Sequence, residues 1–307
     1  MKLTGRLLGG LAVAALAFTT TATPAQAATQ YPTPTPTPAD CYTGMQTVNA
    51  DRSVGVVSLS NSKLTWEQNA SAPVPFDATY LRQTGAAGDA TTFQESYFGT
   101  AADGTAKFYR SRSEKQANGT WKRYVDGAVT SMSSGWFQKS LTTAYLPSAV
   151  ANTPGQDYLY RLTAAGDLYR YAVNFSGKTI GAPVKVFGGG TAINAIGAAP
   201  STTVNGKPTA VLLATLSTGE LREYLIPGAT PTQWTSRTVR PASASGWQNF
   251  TTISARSCGT GQVVIGLSAH HVASYYDPTG LTANDVDIRG GASSMPVLPS
   301  TTRVFAW

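Results

Sequence analysis

The stretch Tyr158-Leu159-Tyr160-Arg161-Leu162, followed by Gly166-Asp167-Leu168-Tyr169-Arg170-Tyr171, returns 53 residues later. There it reads Ala210-Val211-Leu212-Leu213, followed by Gly219-Glu220-Leu221-Arg222-Glu223-Tyr224. No other feature restricts the fold as much. A unit of about four short strands cannot bury both faces of its own sheet and must stack against copies of itself. With the Leu of Gly-Asp-Leu-Tyr as marker, the equivalents are Leu64, Phe108, Leu168, Leu221 and Val272, at intervals of 44, 60, 53 and 51 residues. The copies at Leu168 and Leu221 are clear, that at Phe108 is fair, and the outer two are accepted on spacing. A second marker keeps the register: Ser134-Gly135-Trp136-Phe137 and Ser245-Gly246-Trp247-Gln248-Asn249-Phe250 each precede a marker position. Gly190-Thr191-Ala192-Ile193 takes the corresponding place between them without the Trp.

Helical periodicity is almost absent. Short alternating runs are punctuated by Gly, Pro, Asn, Asp and Ser clusters, the pattern of many short strands. The marker strands at Phe108, Leu168 and Leu221 are each followed by another strand, at Trp121–Val125, Val184–Phe187 and Trp234–Val239. Five such units fill the folded length, which predicts an all-β, five-bladed β-propeller of four-stranded blades. The ring has to close, and two features offer closure. Thr301–Trp307 is strand-like and fits the first or last blade. Cys41 and Cys258, the two cysteines, are expected to pair and tie the first blade to the last. A seven-bladed ring would need a period near about 38 residues, which the two best copies contradict. Two consecutive β-sandwiches would leave the recurrence unexplained.

At the N-terminus Lys2 and Arg6 precede an apolar run, Leu7–Phe18, and Ala25-Gln26-Ala27. These are the marks of a secretory signal peptide over residues 1–27, too short to span a bilayer. Residues 28–40 contain alternating Thr and Pro and read as an extended leader, leaving 41–307 for the propeller. A secreted, extracellular, monomeric protein without a membrane span is expected. The formal charge of +7 is spread without runs of like sign and does not resemble a nucleic-acid footprint.

The Gly-Asp-Leu-Tyr-Arg-Tyr hairpin with its upstream Gly-Trp resembles the blade signature of tachylectin-type propellers. That resemblance implies small secreted lectins whose five-bladed ring binds N-acetylated sugars in pockets between blades. Here it is good in the third to fifth repeats and poor in the first two. Trp is missing at Gly190-Thr191, and His270-His271 stand where other copies have Gly-Asp or Gly-Glu. Five equivalent sites are therefore not expected. The expected partner is a glycan or cell-wall carbohydrate, with extracellular proteins as the alternative, and no cofactor is implied.

The candidate ligand-binding residues are Trp136, Trp247, Asp167, Glu220, Arg170 and Arg222. Trp136 and Trp247 offer flat faces for sugar C–H groups or, equally, large bodies to fill the gap between blades. Tyr171 and Tyr224 read as blade packing. Asp167 and Glu220 stand beside Gly at hairpin corners, where ordinary turn chemistry competes with sugar hydroxyl recognition by the acids and by Arg170 or Arg222. A glycosidase would need paired carboxylates in one cleft, and no repeated inward-pointing cluster is evident. Ser60-Asn61-Ser62-Lys63 lacks the companion motifs of an acylating serine enzyme. His270 and His271 point to opposite faces of a regular strand and make no metal site.

Overall fold

The computed structural model describes residues 41–60, 63–69, 73–150, 152–242, 246–259, 261–268 and 271–277, with strand segments at 289–290, 295–296 and 302–304. The expected signal peptide and leader, residues 1–40, and His270 lie outside the described residues. Five antiparallel sheets form the blades of a β-propeller.

Blade I contains β1 (Thr43–Asn49), β2 (Val54–Ser60) and β3 (Lys63–Asn69). Blade II contains β4 (Ala78–Gly88), β5 (Thr92–Ala101), β6 (Ala106–Lys115) and β7 (Trp121–Ser133). Blade III contains β8 (Ser140–Leu146), β9 (Gln156–Leu162) and β10 (Leu168–Asn174). Its fourth position is split into β11 (Thr179–Ile180) and β12 (Val184–Phe187), both paired with β10. Blade IV contains β13 (Ile193–Val204), β14 (Lys207–Leu216), β15 (Leu221–Pro227) and β16 (Thr235–Arg240). Blade V contains β17 (Thr252–Cys258), β18 (Gly261–Leu267) and β19 (His271–Asp277). Two short strands, β20 (Arg289–Gly290) and β21 (Met295–Pro296), share its outer edge. The last strand, β22 (Thr302–Val304), returns to pair antiparallel with β1.

The C-terminus therefore completes the first blade, and β22 supplies its innermost position. The disulfide gives the direction. Cys41, immediately before β1, is bonded to Cys258 at the end of inner strand β17, with Cα atoms 5.1 Å apart. Thus β1 begins at the end of the ring where β17 finishes, as a second strand must.

The turn chemistry agrees. Between second and third strands, the amide of Ala101 donates to Thr105 O, Thr163 to Asp167 O and Leu216 to Glu220 O. The amide of Asn49 donates to Ser53 O in the same way. Gly104, Gly166 and Gly219 sit at left-handed φ in these turns, and Arg52 takes that conformation in blade I. The marker of blade I is consequently Val54 on β2. Leu64, expected from spacing, lies on the outer strand β3 instead. By the same criterion the residue in place of Phe108 is Ala106, two positions earlier, and the first interval becomes 52 residues.

The cores lie between blades. Trp136, Leu159 and Tyr171 of the chain entering and forming blade III pack with Phe98 and Phe108 of blade II. Tyr160, Leu168 and Val186 pack against Ile196, Leu212 and Tyr224 of blade IV. Leu213 and Leu221 meet Trp247, Phe250 and Tyr275. The closing interface joins Met45, Val57 and Leu59 to Val263, Ile265 and Val272, with the disulfide buried among them. Near the axis, the first strands β8 and β13 approach closely, and backbone amides on the edge of β13 are satisfied by side chains of β8. The hydroxyl of Thr142 accepts from Ala198 N at 2.9 Å and that of Ser140 from Ile196 N at 3.0 Å.

Candidate functional site

The loops that leave blades II and III pack on the preceding blade's turn between second and third strands. The amide of Trp136 donates to Gly104 O at 2.8 Å, and that of Gly190 to Gly166 O at 2.9 Å. The loop entering blade IV also meets that blade's own turn, where the amide of Ser217 donates to Ala192 O at 2.7 Å. A side chain at Gly166 would meet the backbone of Gly190 at 2.5 Å, so glycine is required there. These contacts bring turn, crossing loop and the next blade's third strand to one end of the ring.

Both tryptophans are interior. Trp136 is 4% exposed, its indole 4.9 Å from the Tyr171 ring and its Nε1–H donating to Ser133 Oγ at 2.6 Å. Trp247 is 1% exposed and lies 4.5 Å from Tyr275 and 5.7 Å from Phe250. Between blades III and IV, where the loop has no Trp, Phe187, Tyr224 and Trp234 form the equivalent cluster. Tyr171, Tyr224 and Tyr275 all stand three residues after a marker, so one strand position feeds this aromatic layer.

The polar candidates are engaged within their own blades or across one junction. Arg222 Nε donates to Glu220 Oε1 at 2.8 Å, and Thr238 Oγ1 donates to the same oxygen at 2.6 Å. Asp167 Oδ1 lies 3.0 Å from Lys185 Nζ. Hydrogen bonds from Arg222 and Thr238 outweigh partial desolvation and hold the Glu220 carboxyl below its ordinary value. Buried Arg170 lies 4.4 Å over the Tyr158 ring and donates to Gly228 O at 2.8 Å, tying blade III to blade IV. The six candidates therefore do not converge on one pocket.

One exposed aromatic does stand at a junction, and it is a neighbour of a candidate. Phe137, 65% exposed, lays its ring over Gly104, where an added Cβ would come within 2.6 Å of it. Arg161 donates to Phe137 O at 2.9 Å and to Tyr171 Oη at 3.3 Å, with its guanidinium 5.7 Å from the Trp136 ring centre. Asp103, in the same turn as Gly104, accepts from Thr105 N at 2.9 Å and lies 3.7 Å from Lys107. Hydrogen bonds from the Thr105 hydroxyl and amide hold its carboxyl below the usual range. An exposed apolar face and an ionised, exposed carboxylate thus flank a half-buried guanidinium. The sequence signal was the Gly-Trp-Phe run, in which the second aromatic, not the first, faces outward.

At the axis a cavity of about 510 Å³ is bounded by first strands and by Tyr42 and Thr43 of blade I. Thr142, Thr143, Ser254 and Ser257 give it hydroxyls, and no Asp or Glu is among its described lining residues. No group of three or more His, Cys, Asp or Glu placed to hold a metal occurs among the described residues. No described helix is long and apolar enough to cross a membrane.

No protein-family model and no curated protein sequence matches the chain. Among solved structures it is similar to a fungal fucose lectin of Aleuria aurantia with a six-bladed β-propeller fold, at 16% identity over 85% of this chain and 75% of that one, TM-score 0.42. A mutant of AofleA from Arthrobotrys oligospora matches at 10% identity over 85% and 87%, TM-score 0.44. An exo-1,5-α-L-arabinanase from a bovine ruminal metagenomic library matches at 11% over 82% and 94%, TM-score 0.42. The chain described above is a five-bladed propeller closed by a disulfide between its first and last blades.

Proposed function

We propose that this chain is a secreted, non-catalytic carbohydrate-binding propeller of tachylectin-like type. It recognises N-acetylated sugars or cell-surface glycans at a blade junction. The observation that carries the reading is the Phe137 ring, held open to solvent over the Gly104 turn beside Arg161 and Asp103. An aromatic face takes sugar C–H groups, while the guanidinium and carboxylate supply a donor and an acceptor for hydroxyl or acetamido groups. The equivalent loop at Gly190-Thr191 has no such aromatic, which supports one principal site in place of five.

The non-catalytic reading is supported by the axial cavity. Its described lining has no carboxylate pair, and hydrolysis of a glycosidic bond by paired acids needs one. A second reading, an extracellular protein scaffold, is favoured by β7. This 13-residue edge strand is mostly exposed and opens with half-exposed Trp121. A glycan array probed with residues 41–307 separates the two. Binding to N-acetylated or cell-wall glycans supports the lectin. A blank array, together with a protein partner captured from culture medium and retained in excess free sugar, replaces it with the scaffold.

A further inference from the structure

Phe137 stands at the end of the ring that has the junction turns, and the opposite end has a different surface. There the first and third strands of each blade finish and the second and fourth begin. Nine large apolar side chains are exposed among the described residues, and six of them stand at this opposite end. Tyr42 precedes β1, Phe93 and Trp121 are near the starts of β5 and β7, Tyr145 and Val204 near the ends of β8 and β13, and Val150 follows β8. Four of the five blades contribute, and Tyr42 and Tyr145 both border the axial cavity.

Lysine is divided in the same way. Five of the eight described lysines are exposed at this end. Lys63 opens β3, Lys115 closes β6, Lys122 follows Trp121, Lys178 is in the turn after β10, and Lys207 opens β14. None of the five forms an ion pair among the described residues. The three lysines of the junction end are engaged: Lys107 lies 3.7 Å from Asp103, Lys185 lies 3.0 Å from Asp167, and Lys139 donates to Thr191 O at 3.3 Å. The accessible acids of the lysine-rich end have local partners of their own. Asp89 accepts from the Thr91 and Thr92 amides at 2.8 Å, Glu114 pairs with Arg112 at 2.9 Å, Glu95 pairs with Arg123, and Asp157 lies 3.7 Å from Arg82.

We propose that this end of the ring is a membrane-docking face that takes an anionic phospholipid surface. Trp and Tyr place amphipathic rings at the level of lipid headgroups. Lysine stems lie along apolar surface while their ammonium groups reach the phosphates, and each one adds attraction to a negatively charged leaflet. The distribution of the apolar tips favours a membrane over a folded protein. A protein partner is gripped by a central cluster of buried residues, whereas these tips are shared among four blades around a cavity lined by hydroxyls. A flat, fluid surface meets all of them at once. Docking turns Phe137 away from the membrane, so both sites can be occupied together.

Flotation of the mature chain, residues 28–307, with vesicles of phosphatidylcholine alone or mixed equally with phosphatidylglycerol tests this. The mixed vesicles bind, the neutral ones bind about tenfold or more weakly, and added salt lowers the binding. Lys115→Gln together with Lys122→Gln weakens binding to the mixed vesicles about tenfold, and Trp121→Ala weakens it about fivefold. Lys139→Gln together with Lys185→Gln, at the other end, leaves it within about twofold of wild type. Lipids brominated in the acyl chain quench part of the tryptophan fluorescence of wild type, and Trp121→Phe removes that quenching. Equal affinity for the two kinds of vesicle, or binding to neither, overturns the proposal, even where an acidic protein or a soluble polyanion binds the same face. An equal loss from the two lysine pairs also overturns it, because overall charge then accounts for the effect, and so does quenching that persists in Trp121→Phe.

Discussion

Replacing Gly197 with Ala probes how tightly the inner ring is drawn. Gly197 lies on β13, and a Cβ there would sit 1.8 Å from Ile253 O and 2.5 Å from Ile253 C on β17 of the next blade. Ordinary van der Waals contact begins near 3.4 Å, so the two first strands would have to part by about 1.6 Å. The obstacle is backbone, which no rotamer change relieves. Separating the strands also pulls at the Ala198 amide's bond to Thr142 Oγ1, on the other side of β13. A cost of about 3 kcal/mol or more is expected, at the upper end for overpacking. That corresponds to a fall of about 6 °C or more in Tm for a domain of this size. Gly85 on β4 is the internal control, since a Cβ there meets nothing within 4 Å. Gly85→Ala should remain within about 0.5 kcal/mol of wild type. Urea unfolding and calorimetry of both variants give the comparison. Equal stabilities for the two would refute the close approach of inner strands.

Serine at both Cys41 and Cys258 opens a loop of 217 residues, and on the chain-entropy model stability drops by about 5 kcal/mol without loss of the β-sheet circular dichroism. A change under about 1 kcal/mol in urea unfolding would show that the bond does not constrain the ring. Glu223 is fully buried on β15 and paired with Arg237; burial raises its carboxyl, the Arg237 hydrogen bond and charge pull it back, and nearby Asp277 raises it further. The folded form thus holds this proton to higher pH than the unfolded chain. Its contribution to stability is fully present below the ordinary value of 4.5 and is lost as pH rises through the folded value. Glu223→Gln should flatten that part of the stability-against-pH curve; an unchanged slope rules out the raised carboxyl.

Much of the ring was readable because the repeated positions obey one physical demand. Phe108, Leu168, Leu221 and Val272 each lie within the first three residues of a third strand and are buried between blades, so each must be apolar. Blade I escaped this reading for two reasons. Its left-handed turn residue is Arg52, not Gly, held in a turn where Asp51 accepts from Ser53 N at 2.9 Å. Its inner strand comes from the far end of the chain, so the local sequence starts one strand late and Leu64 falls on the outer edge.

The candidate site was less readable. In the irregular loop Gly135-Trp136-Phe137, no period of two or 3.6 tells which of two adjacent aromatics faces outward. Burial of Trp136 against Tyr171, which share no strand register, becomes visible only once the blades are stacked. The Glu220–Arg222 pair, two residues apart on one face of a strand edge, follows from alternation alone.

The central claim rests on Phe137, and its affinity test is the most direct. The glycan bound best by residues 41–307 is titrated into wild type and Phe137→Ala, with near-ultraviolet circular dichroism confirming an unchanged fold. Because Phe137 is mostly exposed, truncation leaves the interior intact and removes only the stacking face. A loss of about tenfold in affinity is predicted, the worth of about 1.4 kcal/mol of contact. Unchanged affinity would contradict carbohydrate binding at this junction.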